Sequence, residues 1–137
     1  DLDLIKAGEF DKIEALTREA VELMLGFELA HVGINETDGE AADHTAGRFE
    51  SIFGFGKKTG SASVFAGTAV EVMKAPGLGA KGHIGIRTNY IERAVNYLEN
   101  QGVEFNPSSA KYDEKGNLKA IYLKEEVGGF AVHLVQK

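Results

Sequence analysis

The chain contains no cysteine. That absence removes disulfide frameworks, thiolate metal sites and cysteine nucleophiles together, and it agrees with a reducing compartment. There is also no run of Lys and Arg: 21 acidic residues against 15 basic ones leave a net charge of -6. A basic stripe able to neutralise a phosphate backbone is missing, so nucleic acid is not an expected partner. No apolar stretch approaches the roughly 20 residues that span a bilayer, and Asp1 to Lys12 carries no signal-peptide pattern. The expectation is a cytoplasmic protein without a membrane partner. What remains is ordinary globular composition, 43% hydrophobic and 26% charged over 137 residues, enough for one core.

Periodicity divides the chain. Phe10, Ile13, Leu16, Ala20, Leu23 and Met24 recur at steps of three and four, which predicts an amphipathic helix over 9–25 that stops at Gly26. Residues 27–35 alternate, with Leu29, His31, Gly33 and Asn35 on one face and Ala30, Val32 and Ile34 on the other, as a strand does. Helical spacing returns over 39–53 and ends at Gly54, and strands are expected at 61–66 and 68–74 around a turn at Gly67. Past the Pro- and Gly-containing loop 75–82 the order repeats. A strand is expected at 83–88, a helix at 91–101, an edge segment at 109–112, a turn at 114–117, and strands at 118–124 and 130–135. The fold class is therefore α+β: an N-terminal helix over 1–26, then two βαβββ modules, 27–76 and 82–137. Each module covers one face of its sheet with a helix, and the two uncovered faces can close around a shared cavity.

The modules place matching polar residues at matching points. His31 opens "HVGIN" and His83 opens "HIGIR"; Glu71 lies in "AVEVMK" and His133 in "FAVHLV", the last strands of the two units. A buried imidazole or carboxylate between apolar neighbours is expensive unless something satisfies it. Four of them at related positions point to mutual compensation, either as hydrogen-bonded core residues or, the favoured reading, as ligands of one divalent metal ion. Imidazole and carboxylate suit zinc, nickel, iron(II), cobalt or manganese rather than calcium. Such an ion has positions left for two neighbouring substrate oxygens and can stabilise an enediolate, and Glu71 or His133 can serve as the base. Arg87, two residues past Gly85, is expected to face the same cavity and grip a carboxylate or phosphate, or else to pair with a neighbouring acid. Asn35 is its counterpart in the first module, and Tyr122 and Phe65 are expected walls. Glycines 33 and 85 suit a site, or alternatively relieve crowding against a helix. His44, Lys57, Lys58, Glu125 and Glu126 read as solvated charges, the last four in turns. The string "GFGKKTG" lacks the spacing and the following helix of a phosphate loop.

From Phe27 to Lys137 the strings "AHVGIN", "FESIFGF", "GHIGI" and "EEVGGFAVHLV" resemble the vicinal-oxygen-chelate (glyoxalase-like) superfamily, which includes glyoxalases, methylmalonyl-CoA epimerases, extradiol dioxygenases and bleomycin-resistance proteins. The resemblance places that superfamily's metal ligands on His31, Glu71, His83 and His133, with a departure at His133, where glyoxalase-type members usually carry glutamate. It also implies a homodimer, with the site built within one chain or between two. "LIKAGEFDKIEALTREAVEL" is similar to the end of bacterial 2-keto-3-deoxy-6-phosphogluconate / 4-hydroxy-2-oxoglutarate aldolases, some of which carry such a domain after the barrel. That likeness implies an aldolase domain in the same polypeptide, with residues 1–26 as its tail, and a substrate among small keto acids, sugar acids or their phosphates. The expected activity is a metal-dependent isomerase, epimerase or lyase; the alternative is a non-catalytic ligand-binding or regulatory domain.

Overall fold

The computed structural model describes residues 2–137. A short helix α1 (Leu2–Lys6) leads into α2 (Phe10–Leu25), which stops where Gly26 adopts φ 57° and returns its N–H to the carbonyl of Glu22. The first module follows as β1 (Glu28–Asn35), α3 (Gly39–Phe53), β2 (Lys57–Thr59), β3 (Ser63–Ala66) and β4 (Val70–Met73). The second runs β5 (His83–Thr88), α4 (Ile91–Glu99), a 3-10 turn at Pro107–Ser109, β6 (Lys111–Tyr112), β7 (Leu118–Val127) and β8 (Phe130–Gln136). The expected repeat is thus present, with strand, helix and three strands in each half.

All eight strands join one sheet in the order β2-β3-β4-β1-β5-β8-β7-β6. Within each half the first strand pairs parallel with the last, β1 with β4 and β5 with β8, while β1 and β5 run antiparallel at the centre. The two halves are therefore related by a pseudo-twofold axis through the β1–β5 seam.

Helices cover one face. Asp38 caps α3 by accepting a hydrogen bond from the amide of Ala41 at 2.9 Å, and the small Ala42 and Ala46 let this helix lie close over Val64, Ala66 and Val72. On the second half, Ile91 and Ala94 of α4 pack with Phe105, Leu118, Ile121 and Leu134. Gln136 accepts from the first amide of α4 at 2.9 Å, a cap supplied by the neighbouring strand.

Several expectations are corrected. Lys57 and Lys58 belong to the edge strand β2 rather than to a turn, with Lys57 Nζ 2.8 Å from Asp43 of α3; two adjacent charges on an edge hide the alternation that marks an inner strand. Glu125 and Glu126 likewise lie in β7, which runs on to a hairpin turn at Gly128 and Gly129. The helix over 9–25 forms, but its apolar stripe does not enter the core: Phe10, Leu16 and Leu23 are 66%, 53% and 74% exposed. Its C-terminal part is anchored, through Val21 against the core, through Leu25, which is fully buried, and through Thr88 Oγ1 donating to the Leu25 carbonyl at 2.7 Å.

Leu25 is thus the main tie between the N-terminal helix and the second module. Leu25→Ala is expected to cost about 2–5 kcal/mol of unfolding free energy, and Leu16→Ala, on the exposed stripe, well under half of that; urea denaturation of the two variants measures the difference.

Candidate metal centre on the uncovered face

The face of the sheet opposite the helices carries the polar residues. Strand register explains why they meet. In the β1–β5 pair His31 stands opposite Gly85, and Gly33 opposite His83. The parallel pairs add Glu71 beside Gly33 and His133 beside Gly85. Cross-strand partners point to the same side of a sheet, so four neighbouring strands, β4, β1, β5 and β8, each contribute one donor to one patch. All four of these side chains are brought together within one chain.

The glycines are seats for the imidazoles, not relief against a helix. A methyl group on Gly85 would stand 2.5–2.8 Å from ring atoms of His31, and one on Gly33 would overlap the ring of His83. Each histidine thus lies over the glycine of the facing strand, and the spacing His-x-Gly in both strands is the sequence trace of this exchange.

The donor atoms converge. His31 Nε2 is 3.2 Å from His83 Nε2 and 3.1 Å from His133 Nε2, and Glu71 Oε2 is 3.2 Å from both His31 Nε2 and His83 Nε2. The three histidine nitrogens all lie within 4.8 Å of one another. His83 and His133 are buried, and His31 and Glu71 partly so. Hydrogen bonds alone do not account for this arrangement. Nε2 of His31 offers either one proton or one lone pair, yet it faces three partners at contact distance, so at most one of those contacts is a well-formed hydrogen bond. Donors about 2.1 Å from a shared ion stand roughly 3 to 3.4 Å apart, and three imidazoles with one carboxylate suit a divalent ion of borderline softness. The residues present fit such an ion.

Electrostatics agrees. Burial pushes the Glu71 carboxyl up, but hydrogen bonds from His83 and Ser63 and the charges of His31 and His83 outweigh it and hold it at about 2. Burial, aided by the neighbouring imidazoles, lowers His133 to about 3 and lowers His31 as well. The Tyr122 hydroxyl is raised by burial and by Glu71. At neutral pH these three donors are all in the unprotonated, ligating form.

Of the other residues singled out in the sequence, Tyr122 stacks on His133 with centroids 4.5 Å apart and planes at 14°, and Phe65 meets His31 edge-on at 6.0 Å. Arg87 lies on the same face, its Nη2 donating to the Ala30 carbonyl at 3.2 Å. Asn35 does not join the cluster. Its amide nitrogen donates to the carbonyls of Gly77 and Gly79 at 3.4 and 3.2 Å and so ties down the loop between the modules. His44 is exposed on α3. Sequence reasoning passed over Ser63, which is 7% exposed and donates from Oγ to Glu71 Oε1 at 2.7 Å; its place two residues before Phe65, on the same face of β3, was the available signal.

No family model matches the chain, and neither does any curated protein. Solved structures do. Streptomyces coelicolor methylmalonyl-CoA epimerase, as a variant in complex with 2-nitronate-propionyl-CoA, is 16% identical with a TM-score of 0.56, over 80% of this chain and 94% of that one. The methylmalonyl-CoA epimerase of Mycobacterium tuberculosis is 16% identical with a TM-score of 0.53, covering 82% and 89%. A hypothetical protein from Bacillus halodurans is 14% identical with a TM-score of 0.57, covering 81% and 94%. At such identities the likeness is one of architecture: the fold is glyoxalase-like.

Two predictions follow from the geometry. Gly85→Ala and Gly33→Ala are expected to displace an imidazole and weaken zinc binding by at least the ~10–100-fold seen when a ligand loses its support, measured by competition against a chromophoric chelator. In the metal-free protein, the lowered histidines leave the unfolded chain to bind protons first as pH falls below 6.5. Stability should therefore decline by about 1.4 kcal/mol per pH unit for each such histidine. For His133 this decline runs until its folded value of about 3 is reached, with Glu71 adding a loss between 4.5 and about 2. Denaturant titrations between pH 7 and 4.5 should show a shallower slope for His133→Asn than for the parent.

Proposed function

We propose that the chain is a metal-dependent enzyme, an isomerase, epimerase or lyase, acting on a small 2-keto or 2-hydroxy acid, sugar acid or phosphate. The observation that carries this reading is the convergence of three imidazoles and one carboxylate on the uncovered face of the sheet, in contacts their own protons cannot satisfy. His31, Glu71, His83 and His133 are the ligands of one divalent ion: zinc, nickel, manganese, iron(II) or cobalt. When bound, the ion supplies Lewis acidity toward two neighbouring oxygens of the substrate.

The residues around it bind and orient. Tyr122 and Phe65 form flat apolar walls against the rings of His133 and His31, and exclude water from the reacting carbon. Arg87 keeps donors free beyond its single bond to Ala30 and takes the carboxylate or phosphate of the substrate. Glu71 and His133, each on partial release from the ion, would transfer the proton. They stand on β4 and β8, the outer two of the four donor strands, so one can accept a proton from one side of a bound acid while the other returns one from the opposite side. That two-sided arrangement, and the likeness in fold to two epimerases, favour epimerisation among the three reaction types.

The reading extends to an attached aldolase, with residues 1–26 as its tail and 27–137 as a separate domain. Supporting this are the aldolase-like N-terminal string and the apolar residues Phe10, Leu16 and Leu23, which the remainder of the chain leaves uncovered.

Elemental mass spectrometry of the purified protein is expected to find stoichiometric metal, lost in His83→Ala and Glu71→Ala. The loaded protein should also exchange the proton beside the carbonyl of pyruvate or 2-oxobutyrate in deuterated water, seen by proton NMR. Metal without exchange on any keto acid, together with ligand binding that survives metal removal, would assign the chain to the non-catalytic binding role instead.

A further inference from the structure

Resting on the metal site proposed above, we propose that Ser63 is a positioning residue that confines Glu71 to ligation through one oxygen, so that the ion keeps two neighbouring positions for a chelating substrate instead of one.

The two oxygens of Glu71 have different surroundings. Oε2 faces the donor cluster, 3.2 Å from His31 Nε2 and from His83 Nε2. Oε1 is turned away and accepts the Ser63 hydroxyl at 2.7 Å. The sheet register enforces this difference. Phe65 is the direct partner of Glu71 and Ser63 that of Met73, so Ser63 approaches the carboxylate diagonally from β3, the strand on the far side of β4 from the histidines. Ser63 itself is buried, and an oxygen placed there without a partner would be costly, so both atoms are held by the one bond.

The number of donors decides what such a site can chelate. Three imidazoles and one carboxylate oxygen make four donors, which leave two positions on a six-coordinate ion. A carboxylate that swung to bind through both oxygens would make five and leave one, enough for a single oxygen but not for a neighbouring pair. Ser63 holds back the oxygen that would close the second position. It also tethers the carboxylate if its one bond to the ion is exchanged for a proton, so that Glu71 returns to the same place.

Cobalt(II) makes the arrangement visible, because its d–d absorption responds to the number and geometry of its ligands. The parent protein is expected to bind one equivalent and to shift its spectrum when acetohydroxamate, a two-oxygen chelator, is added. Ser63→Ala should still bind cobalt, with an altered affinity, a different spectrum in the absence of chelator and a reduced response to acetohydroxamate relative to acetate. Ser63→Thr, which keeps the hydroxyl, should restore the parent spectrum, and thermal unfolding of the metal-free variants checks that each is folded. A Ser63→Ala protein with the parent's affinity, spectrum and chelator response would overturn the role of Ser63 while leaving the metal site standing. A parent that takes up no cobalt would overturn the metal site itself, and this inference with it.

Discussion

The antiparallel pairing of β1 with β5 is the constraint on which the rest of the structure depends. It brings the two modules into one sheet and sets the histidine of each against the glycine of the other. A slip of one residue would turn one of these strands over relative to the other, sending its imidazole to the helix side and its aliphatic residues to the uncovered side, because strand side chains alternate. The alternative is closed off by the same residues. The helix-side positions Ala30, Val32, Ile34, Ile84 and Ile86 are aliphatic, and the opposite positions hold two rings and two absent side chains that fit only one into the other. The parallel additions of β4 and β8 then carry Glu71 and His133 into line without further instruction.

Collecting four ionisable groups on a partly buried patch works against folding. Desolvation lowers His31 and His133 and opposes the ionisation of Glu71, and the imidazoles crowd one another with too few protons for their contacts. The two cores lie on the other face, under α3 and α4, and their packing is what holds the patch together. A division of labour follows: the helix side supplies stability, and the uncovered side holds an arrangement that a stable protein would otherwise avoid.

Much of this was legible from residue order. The alternation in "HVGIN" and "HIGIR" located β1 and β5, and the repeat made His31 and His83 a pair, so the module pattern and the four side chains that cluster could be named without coordinates. Lys57 and Lys58 escaped because a three-residue edge strand shows no alternation, and Glu125 and Glu126 because charged residues at the exposed end of a hairpin resemble a turn. Asn35 was placed by symmetry with Arg87, but symmetry of position is not symmetry of partner: the loop after β4 offers Asn35 two carbonyls. Ser63 was hidden for a different reason, since its value lies in a diagonal relation across β3 and β4 that depends on register, and a lone serine in a strand carries no mark of its own. The amphipathic stripe of α2 was read correctly as a helix, yet periodicity cannot say what an apolar face packs against.

The pseudo-twofold axis is broken at one place that matters. Exchange the halves and His31 falls on His83, but Glu71 falls on His133, a negative group on a neutral one. The patch therefore has two unlike ends: a carboxylate end on β4, and an imidazole end on β8 within reach of the positive charge of Lys111. An acid lying across the seam meets repulsion at the first and attraction at the second, so it has one preferred heading. The duplicated fold supplies the symmetric floor of the patch, and a single unmatched pair gives that patch a polarity, a direction that neither half would have alone.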